Sequence, residues 1–390
     1  MLKTVVASLS LSAALCTQAM CAQTPVADVY VQTSKGVTLY NAASNGRLTL
    51  VAGSPFPITG QMIGVSGIHF VSLGEDNVHV YALASNGAIG GQVAQISTQD
   101  YNGKQCGTAQ FGVLDRTGQD LYVDVSGTEN QNQAILCVAF QSFKIASSGV
   151  ISYLASIIPY NDPSGTMNVY YYPPVLSGSN TYAYGTVAGL SGTCDEPEIV
   201  SYQRESSGAL ELAGTQSVTL PQPEPGGWKY FPYYISADSS NHLAIAVQPE
   251  LNSPCGTRGS LQLASFTINN NGGIVSTNTY ENITTAVPSS GAGTDLGPIS
   301  PSGTVLPVGL GNDLQLFHFN GGSPITSTTG QIPVKGLMTT LKWDSSGHLY
   351  GLDSYTGVLR VYTVGSNGMT EDPGSPVPIS GASGLFVVSK

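Results

Sequence analysis

The stretch VTLYNAASNGRLTL at residues 37–50 recurs in the same register as VHVYALASNGAIGG at 78–91, IVSYQRESSGALEL at 199–212 and LRVYTVGSNGMTED at 359–372. In each, apolar and polar residues alternate up to an aromatic, a Gly stands six positions beyond it, and a second short strand follows. Period-two alternation flanking Ser-Asn-Gly or Ser-Ser-Gly is the pattern of an antiparallel hairpin, in which Gly supplies the positive φ of the turn. The aromatic/Gly pairs are Tyr40/Gly46, Tyr81/Gly87, Phe143/Gly149, Tyr202/Gly208, Phe266/Gly272 and Tyr362/Gly368; a seventh, Phe317/Gly322, is one residue short.

Upstream of several copies lies another hairpin: LDRTGQDLYVDV at 114–125, ISADSSNHLAIAV at 235–247, ISPSGTVLPVGL at 299–310 and WDSSGHLYGL at 343–352. Asp or Ser opens these turns by bonding its own backbone, and Gly or Asn follows where the chain reverses. Two hairpins per repeat make four strands. Units of this kind, with turn glycines 41 to 64 residues apart, predict an all-β seven-bladed β-propeller of four-stranded antiparallel blades. Two packed sandwiches would not repeat one register seven times. The ends agree: VYVQTS at 29–34 starts a blade that lacks its innermost strand, and GLFVVSK at 384–390 is a strand left over. Pairing them closes the ring and removes an exposed edge.

The composition suits this design, with 47 Gly, 23 Pro and only 9% charged residues in 390. Residues 1–22 read as a cleaved signal peptide, with Lys3, an apolar run and small residues near Ala22, which leaves 23–390 as one propeller domain, secreted or periplasmic. No segment is long and apolar enough to span a membrane as a helix. A net charge of −11 with 13 Lys+Arg excludes the clustered cations that nucleic acid requires. Cys106, Cys137, Cys194 and Cys255 remain after processing; in an exported chain an even number favours disulfides, and chain order suggests Cys106 with Cys137 and Cys194 with Cys255. Free buried thiols are the alternative. The expected oligomeric state is a monomer.

Asp115-Arg-Thr-Gly118-Gln-Asp-Leu121-Tyr122-Val123 resembles the D-x-x-G-x-x-L-Y-V hairpin of the β-propeller lactonases, the propeller type of 6-phosphogluconolactonase, and of the related YVTN-repeat proteins. Gly53-Ser54-Pro55-Phe56-Pro57 and Gly374-Ser375-Pro376-Val377-Pro378 resemble that family's exit from a blade. The likeness runs over about residues 27–390 and rests on turn and strand residues. It implies the propeller fold and a lactonase-type carboxylic ester hydrolase acting on a lactone. It carries no catalytic residue across to a position of this chain.

In a propeller the turns within hairpins share one face, and the remaining connections share the other. The second face takes the insertions, at 99–110, 126–133, 159–174, 188–198, 215–232 and 248–259, and loops on one rim of a rigid scaffold are where function concentrates. There, Tyr171, Trp228 and Tyr230 are candidates for an aromatic platform under a glycan or other planar ligand, with core packing as the plain alternative. Glu196, Glu198, Glu250 and Arg258 flank Cys194 and Cys255 and are candidates for acid/base chemistry or for holding a divalent cation, although no metal-binding motif is present. A solvated acidic rim is the alternative. The histidines read as structural, and no nucleophile-elbow, zinc or phosphate-loop motif occurs. Two functions therefore stand: lactone hydrolysis at the rim, or a non-catalytic propeller holding a glycan, peptide or protein partner.

Overall fold

The computed structural model describes residues 24–98, 108–128, 136–161, 168–171, 173–191, 194–216, 228–251, 257, 259–277, 281–282, 294–310, 313–328, 332–334, 336–365 and 368–390. Residues 1–22, where a signal peptide is expected, and Cys106, Cys255 and Arg258 lie outside these residues. Seven antiparallel sheets, blades I to VII in chain order, make an all-β propeller, and no helix occurs among the described residues. Blade I is completed from both ends of the chain. Ala382–Ser389 is its innermost strand and pairs with Ala27–Thr33, from Ala27↔Ser389 to Gln32↔Gly384.

The recurring Gly motif closes the outer hairpins as its spacing predicts. In blade I the Gly46 N–H donates to Ala43 O and the Ala43 N–H to Arg47 O, and the same pair of bonds recurs around Gly87, Gly149, Gly208 and Gly272. Blade VI, one residue short, turns instead on Gly321 at φ 59°, with Asn320 paired to Ser323. The G-S-P segments also act as scaffold. Ser54 and Ser375 Oγ each accept a third-strand N–H, from Leu39 and Val361, at 3.1 Å.

Alternation along the second strand of each blade sends one side chain to either neighbour. Leu121, Val123 and Val125 pack towards blade II, while Tyr122 enters the core between blades III and IV with Phe140, Val200 and Tyr202. The hydroxyls of Tyr30, Tyr122 and Tyr184 each donate to a turn-glycine carbonyl of the next blade, Gly87, Gly208 and Gly272, at 2.9 Å. Such bonds need a turn that comes very close: Gly208, at φ 99°, lies so near that any Cβ would collide with the Asp120 carboxylate. The blades are therefore tied by repeated buried hydrogen bonds as well as by apolar packing.

Sequence reasoning places a loop at 188–198, but the structure has a ribbon there. Tyr182–Ser191 and Cys194–Arg204 stay paired through Ser191↔Cys194. The second and third strands of this blade continue as a two-stranded ladder through a stretch, VAGLSGTCDEPE at 187–198, whose sequence lacks sustained apolar alternation. Similar extension occurs in Ile151–Asn161, Trp228–Ala237 and His242–Leu251, which are 11, 10 and 10 residues long against 7 for Ala27–Thr33. Blades III to V thus stand taller than blade I on the face where the insertions were expected.

One buried carboxyl is left short of partners by this geometry. Gln32, two residues beyond Tyr30, bridges to blade II by donating to Gly60 O at 3.0 Å and accepting the Met62 N–H at 2.7 Å. Asp124, two residues beyond Tyr122, holds the same place in blade III. The registers Gly64↔Val71 and Val175↔Tyr184 put Pro173 where blade II has Met62, and proline has no N–H to give. Asp124 is 3% exposed, its Oδ1 has no hydrogen-bond partner, and burial pushes its carboxyl up to about 7. The folded state keeps a proton that the unfolded chain releases near pH ~4, so stability falls as pH rises from ~4 through ~7. Asp124→Asn is expected to melt several degrees above the wild type at pH 8, with a gain that shrinks towards pH ~4. A shift independent of pH in thermal melts would exclude titration of Asp124 as the cause.

Candidate functional site

The innermost strands leave a central channel, and on the side formed by blades VII, I, II, III and IV it opens into a cavity of about 810 Å³. Its wall has two characters. Ile63, Val65, Leu114 and Phe386 are half-buried apolar side chains that line it on blades I to III, and Gln61, Ser383 and, from the innermost strand of blade VII, Thr340 and Lys342 add polar groups to the same lining. At the mouth on the short-turn face, the D-x-x-G turn of blade III contributes Asp115 and Arg116.

These two turn residues are already occupied. Arg116 clips three blades together, with Nε donating to Ser177 O at 2.6 Å and Nη2 donating to Leu176 O at 3.0 Å and Asp238 O at 2.5 Å. Burial alone would raise the Asp115 carboxyl, but bonds from the Asp120 and Gln119 N–H groups, the Asn180 amide and the Thr117 hydroxyl outweigh it and hold the group below the usual range. Asp115 is therefore a fixed anion with its lone pairs spent, unsuited to take a proton from water.

The other basic side chains among the described residues are also accounted for. Lys144 and Arg204 pair with Asp120, Arg360 with Glu371, and Lys390 with Asp28, while Lys35 and Arg47 sit exposed on turns. Lys342 differs. It is half-buried, lines the cavity, and has no hydrogen bond or ion pair among the described residues. An ammonium held in a partly dehydrated cleft without a counter-charge attracts anionic groups and polarised carbonyl oxygens. Among the described residues no group of three or more His, Cys, Asp or Glu is placed to hold a metal.

Among the described residues no histidine lines the cavity. His348, 2% exposed, donates to Asp344 at 2.7 Å; that bond raises its pKa against the opposing effect of burial, and Tyr350 donates to the same carboxylate at 2.8 Å. His242 pairs with Asp238 in the same way at 2.7 Å. Both clusters tie turns on the short-turn face.

Of the carboxylates singled out on the opposite rim, the two with described side chains, Glu198 and Glu250, face different interblade interfaces. Glu198 is half-buried in blade IV and alternates with Ile199, which packs towards blade V, so it lies on the blade III side. Glu250 is 5% exposed in blade V and shares the blade VI side with Ala244 and Ala246. Two blades separate them. Tyr230 is 7% exposed and packs in the core between blades IV and V with Tyr184, Ile199 and Val247, so its ring face is not open to a planar ligand. The plain alternative of core packing applies, because alternation along this long first strand turns the ring inward. Tyr171 pairs with Val187 and Trp228 with Leu251 in the backbone, and Glu196 pairs with Gly189; their side chains fall outside the described part. Cys137 and Cys194 sit in Leu136–Ile145 and Cys194–Arg204, with side chains likewise outside it.

Lys342 was missed because nothing in TTLKWD marks a lysine as channel-facing. Alternation with the buried Leu341 is the only signal available, and it does not say which innermost strand borders a cavity.

Fold and channel together define a seven-bladed β-propeller with a single-sided central cleft. By structure, the chain is similar to the periplasmic gluconolactonase of Pseudomonas aeruginosa, with a TM-score of 0.61 at 14% identity over 93% of this chain and 99% of that one. It is also similar to a protein from Lactobacillus plantarum (TM-score 0.64, 12% identity, 94% and 100% covered). A provisionally assigned 6-phosphogluconolactonase of Bacteroides uniformis gives a TM-score of 0.58 at 13% identity, with 93% and 99% covered. Identities this low speak for the shared fold alone. No family profile and no curated protein matches the chain by sequence. Among the described residues no helix is long and apolar enough to cross a membrane.

Proposed function

We propose that this chain is an exported, lactonase-like propeller that takes a small cyclic ester into its central channel and opens it there. The observation that carries the reading is Lys342, an ammonium without an ion pair among the described residues, on the wall of a cavity of about 810 Å³. Structural likeness to a gluconolactonase and the family resemblance of the D-x-x-G-x-x-L-Y-V hairpin support it, and the leader supports export. The fit with chemistry is direct. Water adds to the lactone carbonyl carbon, negative charge grows on the carbonyl oxygen, and Lys342 stabilises it. The bond to the ring oxygen then breaks, the ring oxygen takes a proton from solvent, and the attacking water loses one to solvent, leaving a hydroxy acid. Removing one such stabilising group lowers turnover by about 10²–10³-fold.

Hydrolysis of a lactone panel by the mature protein tests this. Lys342→Met is expected to lower kcat/KM by about 10²-fold with an unchanged melting temperature. A companion variant with Glu196, Glu198 and Glu250 all changed to Gln is expected to keep full activity; loss of activity there would return the site to the rim. If the folded protein opens no lactone, the reading fails. A non-catalytic ligand-binding propeller is then the second reading, favoured by the fully engaged Asp115 carboxylate at the channel mouth.

A further inference from the structure

We infer that the outer face of blades II and III is an interface between two copies of this chain, which associate about a two-fold axis and bury Val93, Val150 and Tyr153 between them. This face lies on the outside of the ring, away from the innermost strands that line the channel, and is independent of the ester-opening reading.

The outermost strands here are Ile89–Ser97 and Ile151–Asn161, 9 and 11 residues long against 3 to 7 in the other five blades. Neither 77–98 nor 145–161 contains an Asp, Glu, Lys or Arg, in a chain whose net charge is −11. On or beside these strands three large apolar side chains are open to solvent, Val93 at 49%, Val150 at 61% and Tyr153 at 47%. They are neighbours across the two blades. A Cβ on Gly149 would lie 2.9 Å from Val93 Cγ2, which sets the turn carrying Val150 against blade II. Tyr153 is held along its strand by an edge contact with Phe143, 5.9 Å between ring centres, and by a 2.7 Å hydrogen bond shared with Ser156 Oγ. Ile68 stands on the inner turn of blade II, while Leu50, Leu212, Val275 and Tyr355 are exposed singly on blades I, IV, V and VII.

Single exposed apolar residues are ordinary, whereas a contiguous group marks a surface that binds. Charge and backbone together say what it binds. Two chains of net charge −11 repel each other, and they approach most easily where neither carries charge, so this face is best matched by its own copy. Residues 151–157 are also the free edge of blade III. Their ladder runs to Leu136–Ile145, with one bulge at Leu154, and among the described residues no hydrogen bond leaves the other side. The lysines and prolines that usually guard such an edge are absent from 151–157. Two copies of one edge related by a two-fold axis run antiparallel, so each offers the other the donors and acceptors it needs. The chain is then a dimer and not the monomer expected from its sequence, because the face joins strands far apart in the chain.

Sedimentation equilibrium of the mature protein from ~1 to ~100 µM tests the inference. The wild type is expected to pass from the monomer mass to twice that mass over this range. Val150→Lys with Tyr153→Lys is expected to stay monomeric throughout, and at the lowest concentration to melt with the wild type, since neither residue is buried in the monomer. Val150→Glu with Tyr153→Glu should also be monomeric alone and should form a heterodimer when mixed with the lysine variant. Leu212→Lys leaves the wild-type dimer intact. Raising salt from ~0.05 to ~0.5 M strengthens that dimer, because screening weakens the repulsion of two acidic chains. Should the lysine variant fail to fold, hydrogen exchange on the wild type decides alone, with the amides of 151–157 gaining protection as concentration rises. A wild type that is monomeric at every concentration, or a dimer that the lysine variant retains, overturns the inference.

Discussion

Deleting residues 384–390 is expected to unfold the whole ring, not to fray one end. Those residues are most of the innermost strand of blade I, and its partner Ala27–Thr33 would lose its ladder from Ala27↔Ser389 to Gln32↔Gly384. Leu385, 5% exposed, leaves the core between blades VII and I, and Phe386 leaves the core it shares with Tyr30 and Phe70 between blades I and II. A fully buried side chain of this size contributes about 1.5–3 kcal/mol. Lys390 also goes, and with it the 2.8 Å ion pair to Asp28, a carboxyl that is 5% exposed and that burial already pushes upward. Orphaning a buried charge costs about 3–5 kcal/mol. These losses together approach the about 5–15 kcal/mol that holds a typical domain folded. Hydrogen exchange and thermal melting by circular dichroism check it: protection should vanish in blades III to V as well as in blade I. Retained protection in the distant blades would mean that the ring does not depend on its closure.

Arg204→Met is expected to be the most damaging single substitution outside the apolar core, at about 3–5 kcal/mol. Arg204 belongs to the third strand of blade IV and reaches back to Asp120 of blade III, bonding through Nε at 3.1 Å and through Nη2. The Asp120 side chain is fully buried. Its other cation, Lys144 at 3.2 Å, has a side chain 42% exposed and is a weak replacement. The turn at Gly208 packs directly on this carboxylate and shields it from water on that side. Urea unfolding of Arg204→Met, Asp120→Asn and the double variant measures the coupling. The double variant should recover part of the loss, because a neutral amide no longer needs the cation. A loss below about 1 kcal/mol in the single variant would show that the pair is merely solvated surface.

Seven copies of one hairpin register, the missing strand at residues 29–34 and the spare strand at 384–390 were legible because each is a local pattern: alternation, a turn glycine, an unpaired end. The likeness in D-x-x-G-x-x-L-Y-V was legible for the same reason, and its residues prove to be turn and interblade groups, with Tyr122 bonded to Gly208 and Arg116 to three backbone carbonyls. The ribbon through Ser191 and Cys194 was not legible, since the sequence at 188–198 carries no sustained apolar alternation to mark a strand. The carboxylates at 198 and 250 looked like neighbours because they flank cysteines. Alternation in two separate blades sends them to different interfaces.

Sequence by itself determined the class of architecture, the number of blades and the way the ring closes, because strands and tight turns depend on residues close together in the chain. Tertiary structure decided everything that spans blades: that Arg204 neutralises Asp120 across 84 residues, that Pro173 leaves Asp124 without the N–H its counterpart Gln32 receives, and that Lys342 lines one cavity with residues of blades I to III. Such pairings depend on how blades rotate against one another around the axis, and no local pattern of residues encodes that distance.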